Sequence, residues 1–290
     1  MSVATVAGAT TTPARTWRHR HFNLPGGFFG LVWLMLVIVP VYWLIVASFC
    51  SQSDMYSRSN PLQWPAHPTW ANYQLALSRG LVRYFINSLI VVAGATILVL
   101  AVCFMAAYTI SRNRTKGTRI SFSVLLIGLA FPSQAAVIPL FYLINKLRLY
   151  DTLLGLIFPS AAFAVPISVI ILVNFMRDIP DELFESMRVD GASNWRIMWN
   201  LALPLSRPAL ITVGIYDGLN VWNNFLFPLV LTQSPGVRVI PLGLYSFAND
   251  LTLNIPAMMA AVVLSAMPIL VLYVFGRRQL LAGLTAGFGK

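Results

Sequence analysis

The segment "GIYDGLNVWNNF" at 214–225 sets Asp217, Asn220 and Asn224 at i, i+3 and i+7, one face of a helix. Trp222 and Asn223 flank that stripe. A carboxylate and amides in a row can hydrogen-bond a polar solute moving past them, with an indole to stack on. The same side chains can also bond neighbouring helices in an apolar medium, at roughly 0.6–2 kcal/mol each. The spacing alone leaves both roles open.

Asp217 is the only one of the nine acidic residues that falls within a long apolar run. Gradient-driven carriers place ionisable groups inside the membrane, and one acid is thin provision for a proton relay. The chain also has no means of holding ATP itself. A P-loop needs G-x-x-x-x-G-K-[ST], and none of Lys116, Lys146 or Lys290 is followed by Ser or Thr. Cys50 and Cys103 show neither a disulfide framework nor metal-ligand spacing, and no role follows for them. The residues support no enzymatic activity in this chain.

The elements that carry the stripe follow from composition. Of the 290 residues, 58% are hydrophobic and 10% charged, against about 25% charged in a soluble domain. Too little charge is present to clothe a globular surface, so the expected solvent is lipid. A net charge of +11 could indicate a nucleic-acid partner, but basic loops beside membrane spans explain it better. No nucleic acid is expected.

A membrane helix needs about 20 apolar residues. Six runs qualify: 28–49, 84–110, 120–143, 153–175, 209–231 and 255–275. The sequence therefore predicts an all-α membrane protein with six transmembrane helices. Pro132, Pro139, Pro159, Pro166, Pro228 and Pro268 lie within these runs, which membrane helices tolerate and which kinks them. The expected order is a basic tail over 1–27, a first span over 28–49 and an external loop over 50–83. A five-helix core over 84–276 and a tail over 277–290 complete it. Trp64, Trp70 and Tyr73 suit an interfacial position in the external loop.

Arg15, Arg18, Arg20, Arg112, Arg114, Lys116, Arg119, Arg177, Arg188, Arg196, Arg207, Arg277, Arg278 and Lys290 all fall on one side of these spans. Arg58, Arg79, Arg83, Lys146, Arg148 and Arg238 fall on the other. The excess predicts that both termini are cytoplasmic.

On that topology residues 177–208 form a cytoplasmic segment between spans four and five. "IPDELFESMRV" opens with proline and acidic residues, as a helix start does. Asp190–Gly191 punctuates it, because glycine enters the left-handed conformation that ends a helix without steric cost. Ser193 can cap a second helix, and Pro204 and Pro208 close it. The first helix carries Leu183, Phe184 and Met187 at helical spacing. That apolar face needs either a protein partner or the chain's own bundle.

The run Glu185-Ser186-Met187-x-x-Asp190-Gly191-Ala192, followed by Pro204, resembles the EAA motif of permease subunits of binding-protein-dependent ABC importers. Ser186 and Met187 replace its two alanines. "VWNNFLFPLVLTQ" at 221–233 and the tail "RRQLLAGLTAGFGK" are similar to signatures of the sugar-importer branch, the maltose-type second permease family. The resemblance implies that the EAA helix is a coupling helix lodged in a cleft of a cytoplasmic ATPase. Leu183, Phe184, Glu185, Met187, Asp190, Gly191, Ala192 and Pro204 would then form the ATPase-coupling set. Gly191 would supply the turn, and Glu185 and Asp190 polar or capping contacts.

The resemblance further implies a bacterial cytoplasmic (inner) membrane location and a second permease subunit. It implies two ABC ATPase subunits, which hold ATP and Mg while this chain carries no cofactor, and an extracytoplasmic solute-binding protein. The solute would be a sugar, of di- or oligosaccharide size, and the stripe of Asp217, Asn220, Asn224, Trp222 and Asn223 would line its path. The outer patch "LYSF", Leu244, Tyr245, Ser246 and Phe247, would meet the binding protein. A permease for a glycerol-phosphate ester and a gradient-driven secondary carrier are the alternatives.

Overall fold

A computed structural model describes residues 24–113, 115–248 and 254–286. The N-terminal basic residues Arg15, Arg18 and Arg20, then Arg114, outer-loop residues 249–253 and tail residues 287–290 lie outside the described residues. The chain divides into units 1–43 and 44–290. In the first unit, residues 24–43 are helical, and Phe28 through Tyr42 expose large apolar side chains all round. They belong to α1, Leu24–Ser48.

The second unit is built of helices joined by turns and loops. After α1 come α2, Gln52–Ser57, and α3, Ala71–Ala76. A π turn at Leu77–Leu81, with Gly80 at φ +90°, leads into α4, Val82–Arg112. Then follow α5, Lys116–Leu129, α6, Ser133–Lys146, and α7, Leu154–Arg177. The polar segment forms α8, Asp181–Val189, and α9, Asn194–Ile197, with a π turn at Met198–Ala202 and the short α10, Leu203–Leu205. The chain returns through α11, Arg207–Trp222, and α12, Leu226–Leu231. It ends with α13, Ile240–Ala248, and α14, Ile255–Ala286. The expected tail thus begins as a continuation of α14.

Among the described residues three helices are long and apolar enough to cross a membrane alone: Pro25–Ser48, Ala71–Arg112 and Leu154–Arg177. Two of the six expected spans are not continuous helices. The run at 120–143 is α5 plus α6, bent by 105°. Pro132 at the junction is extended, with ψ 130°, because it cannot donate the helical hydrogen bond and its ring collides with the preceding turn. The run at 209–231 breaks at 223–225, between α11 and α12. Pro228 is the cause: its ring would strike the carbonyl of Asn224 in a continuous helix. The other expected prolines, Pro139, Pro159, Pro166 and Pro268, sit inside helices.

The main core lies between α4, α7 and α11. Val99, Cys103, Val169, Leu172, Val173 and Val213 are fully enclosed there. Alanines at 95, 107 and 161 let the helix backbones approach. A second cluster joins Ile144, Leu156, Phe227 and Leu231. Nearer the first span, Phe49 packs on Trp64, Trp70 and Tyr73 with ring centroids 4.9–5.5 Å away. Asn72 donates to the carbonyls of Ser48 and Cys50 at 2.8 and 2.7 Å, satisfying the end of α1.

Candidate functional site

The break at Pro132 and the break at Asn223–Phe225 open onto one cleft of about 270 Å³. Its polar groups are Ser133, Ser160, Tyr216, Asp217, Asn220 and Asn224, and its aromatic walls are Phe131, Phe163 and Phe227. Helical spacing on α11 brings Asp217 and Asn220 together here, and Asn224 joins them from the break that follows the helix. Trp222 and Asn223 do not line it. Trp222 is buried on another side of α11, edge-on to Phe85 at 5.6 Å. Asn223 follows the helix as its C-cap and donates to Leu219 O at 2.8 Å. At 100° per residue they cannot share the face of 217 and 220.

Asp217 is 1% exposed. Ser168 Oγ lies 2.8 Å from Asp217 Oδ2 and 2.8 Å from Ala164 O, so its single proton serves one acceptor at a time. Asp217 Oδ1 has no hydrogen-bond partner. Leaving a buried acceptor unmet costs roughly 1–3 kcal/mol. Asn220 donates one amide hydrogen to Tyr216 O at 2.8 Å, and Asn224 Oδ1 accepts from Phe227 N at 3.1 Å, starting α12. The amide hydrogens of Asn224 and the carbonyl of Asn220 are left for whatever enters. The aromatic surface that Trp222 was expected to provide comes instead from Tyr216, which is exposed, and from the three phenylalanines. Tyr216 was legible as i to the i+4 of Asn220; Phe131, in the α5–α6 bend, and Phe163, on α7, come from elsewhere in the chain and were not.

The polar segment forms two short helices joined at a glycine turn. Gly191 has φ +75°; its N–H bonds Arg188 O at 3.0 Å and the next N–H, of Ala192, bonds Met187 O at 2.9 Å. This pair of bonds is the Schellman closure. Ser193 Oγ accepts from Arg196 N at 3.3 Å, capping α9. Acidic Asp181 and Glu182 in the first turn of α8 and Arg188 in the last complement its dipole.

The apolar face of α8 is divided. Phe184 is 2% exposed and belongs to the main core, and Met187 packs against the same cluster. Their expected availability to a partner is therefore corrected: Phe184 is covered by its own chain. The guanidinium of Arg112, at the end of α4, sits 3.7 Å above the Phe184 ring. Arg112 also bonds Asp181 Oδ1, Met176 O and Ile179 O. Leu183 (41% exposed) and Val189 (87%) face outward with Glu185 and Asp190. Ala192 is half-buried, and Pro204 lies exposed in α10. Arg112 was counted only as a loop charge in the sequence, because its partners lie more than 60 residues away.

The outer patch divides similarly. Tyr245 is exposed, edge-on to Phe225 at 5.6 Å. Phe247 is buried with Ala76, Leu81 and Ala261, and Leu244 is half-buried against them. Phe247 therefore does not face outward as expected. The side chain of Ser246 lies outside the described part. Helix α13 is held where a Cβ on Gly243 would meet Tyr84 Cδ2 at 2.3 Å, so only glycine admits that approach. Asp151, at φ +55°, fixes the neighbouring loop: its carboxylate accepts from Gln233 N (2.8 Å), Ser234 N (2.9 Å) and the Ser234 hydroxyl. Those bonds, the Ser234 hydroxyl first, hold its pKa below the ordinary 3.8.

Broken helices around a polar cleft, with a capped amphipathic helix pinned beneath them, describe a membrane permease. Residues 99–281 match the family model of the binding-protein-dependent transport system inner membrane component, and the chain belongs to that family. It is 41% identical over 262 residues to a putative ABC transporter permease protein of Caldicellulosiruptor sp. strain Rt8B.4, covering 90% of this chain and 95% of that one. It is 34% identical over 260 residues to the diacetylchitobiose uptake system permease protein NgcG of Streptomyces coelicolor, covering 89% and 85%. A crystal structure of a bacterial ABC transporter that imports the acidic polysaccharide alginate shares the fold, with TM-score 0.79 and 22% identity, over 92% of this chain and 99% of that one. The chain is thus an ABC permease subunit of the membrane, not an enzyme; ATP is hydrolysed by a separate subunit.

Proposed function

We propose that this chain forms one wall of the translocation path of an ABC importer for a di- or oligosaccharide. The observation that carries this reading is the unmet Oδ1 of Asp217 on a cleft shared with Asn220, Asn224 and Tyr216. The oxygen is closed to solvent in this conformation; a sugar hydroxyl is a donor that would satisfy it once the cleft widens during transport, and the C–H faces of the sugar stack on aromatic walls. Relatives named for diacetylchitobiose, starch degradation products and arabinooligosaccharides point the same way. The lining residues include an acid and no Lys or Arg, which disfavours a glycerol-phosphate ester. Family membership removes the gradient-driven carrier.

In this reading the chain crosses the bacterial cytoplasmic membrane six times with both termini cytoplasmic. The bent α5–α6 pair and the broken α11–α12 pair each count as one span. A second permease closes the other side of the path. Two ATPase subunits hold ATP and Mg, and one receives α8 through Leu183, Glu185, Val189 and the Gly191 turn. An extracytoplasmic binding protein delivers sugar near Tyr245. ATP closure of the ATPase pair moves α8, and Arg112 carries that movement into α4 and α7. Any such coupling requires different contacts in the two states.

Uptake of labelled oligosaccharide by the assembled importer tests the path. Asp217→Ala and Asn220→Leu should each weaken apparent affinity about tenfold or more, the worth of one to two lost hydrogen bonds. Unchanged affinity and preference in both variants would remove the cleft from the path.

A further inference from the structure

We propose that a second cleft, between the end of α4, the start of α5 and the last turn of α7, binds the phosphate of an anionic phospholipid headgroup. This cleft has a volume of about 420 Å³, and Arg112, Thr115, Arg119, Phe122, Arg177 and Asp181 are among its walls. Its only carboxylate among the described residues, Asp181, is already paired with Arg112. Arg112 spends both terminal nitrogens on Asp181 and on the carbonyls of Met176 and Ile179, and its buried Nε has no acceptor. Arg119 and Arg177 have no carboxylate partner among the described residues. Arg177 rests over the Phe122 ring at 5.3 Å. Two unneutralised guanidiniums therefore face one cavity, and a guanidinium fork matches phosphate oxygens.

A lipid is favoured over a free anion by what lies next to the cleft. Ile120, Val124 and Ile127 on α5 are 60–71% exposed, an apolar strip starting beside Arg119 and continuing from Phe122. An acyl chain would run along it while the headgroup sits between the arginines. Helices α4 and α7 are both long enough to span and end at Arg112 and Arg177, so the guanidiniums stand at headgroup depth. Basic pockets between membrane helices attract anionic headgroups in this way. The leaflet, but not the site, rests on the orientation proposed above.

The test is thermal unfolding of the purified full chain in mixed micelles. Phosphatidylglycerol should raise the Tm over phosphatidylcholine at equal mole fraction by about 2–4 °C for each arginine contact. Arg119→Gln with Arg177→Gln should abolish most of that gain. The corresponding Lys pair should keep at least half of it, and Lys146→Gln all of it. If the double Gln variant does not fold, each single variant should lose about half. Equal Tm in the two lipids, or a full gain surviving in the Gln variants, overturns the site. Millimolar inorganic phosphate should give no gain; an equal gain would make this a free-anion site and overturn the lipid. A full lipid gain in the double variant together with loss of ATPase co-purification would assign the cleft to a protein partner and overturn it too.

Discussion

The guanidinium of Arg112 lies 3.7 Å above the ring of Phe184. One residue ends the long α4 and the other is the inward anchor of α8, so α8 is bound to the bundle on one side and open on the other. A fastened helix transmits displacement; a loosely tethered one dissipates it. Tyr108, whose hydroxyl donates to Asn194 O at 3.2 Å, adds a second tie from α4 to α9.

The first prediction separates the two sides of α8. Phe184→Ala should destabilise the chain by about 3–5 kcal/mol, the cost of emptying a buried aromatic site, and lower its yield in the membrane. Leu183→Asp and Val189→Asp should leave yield unchanged and reduce ATPase co-purification severalfold. The measurement is the amount of each variant in detergent extract and the ratio of ATPase retained. Equal loss of yield in all three would show that α8 has no free face.

Gly191 is a conformational requirement, not a steric one. A Cβ there would meet nothing within 4 Å, but φ is +75°. Gly191→Asn should be tolerated, because asparagine visits this region, while Gly191→Val should cost about 1–2 kcal/mol locally and weaken ATPase docking without reducing membrane insertion. Wild-type docking by the valine variant would contradict the role of the turn.

Local signals of this kind were readable in the sequence. The caps and the glycine turn of 181–205 depend on neighbours in the chain, so Pro180, Gly191 and Ser193 mark them directly. The shared face of Asp217 and Asn220 was readable by helical periodicity, whereas Asn224 reaches the same cleft from beyond the end of α11. Which residues lie against the rest of the bundle was not. Phe184 and Phe247 look free when only their own helices are considered, and both are covered by helices far away in sequence. Proline composition announced kinks, but not that Pro132 would turn the chain by 105° while Pro139, Pro159 and Pro166 remain inside helices.

Asp151 gives a pH dependence. Its folded pKa lies below the ordinary 3.8 through the bonds from Ser234 and Gln233. The charged form is therefore favoured by folding, and its contribution is complete above pH 3.8 and is lost as pH falls through the depressed folded value. Asp151→Asn should lower Tm at pH 7 and narrow the difference from wild type in that acidic window. The comparison of Tm at pH 7 and below 3.8 checks it; a constant difference would exclude a charged contribution.

The outer helix α13 supplies the last prediction. Tyr245 is exposed and meets the Phe225 ring edge-on, whereas Phe247 is enclosed beside Ala76, Leu81 and Ala261, with Arg79 5.8 Å from its ring. If α13 meets the binding protein, the contact must be made by Tyr245 and the outer turn, with Phe247 holding the helix from below. Tyr245→Ala should then reduce binding-protein stimulation of ATP hydrolysis severalfold while leaving Tm within about 1 °C, as surface changes do. Phe247→Ala should instead lower Tm, by a core cost of about 3–5 kcal/mol, and lose stimulation only in proportion to lost protein. Normalised to folded complex, stimulation should therefore fall in the first variant and persist in the second. The reverse pattern would place the binding protein on another surface.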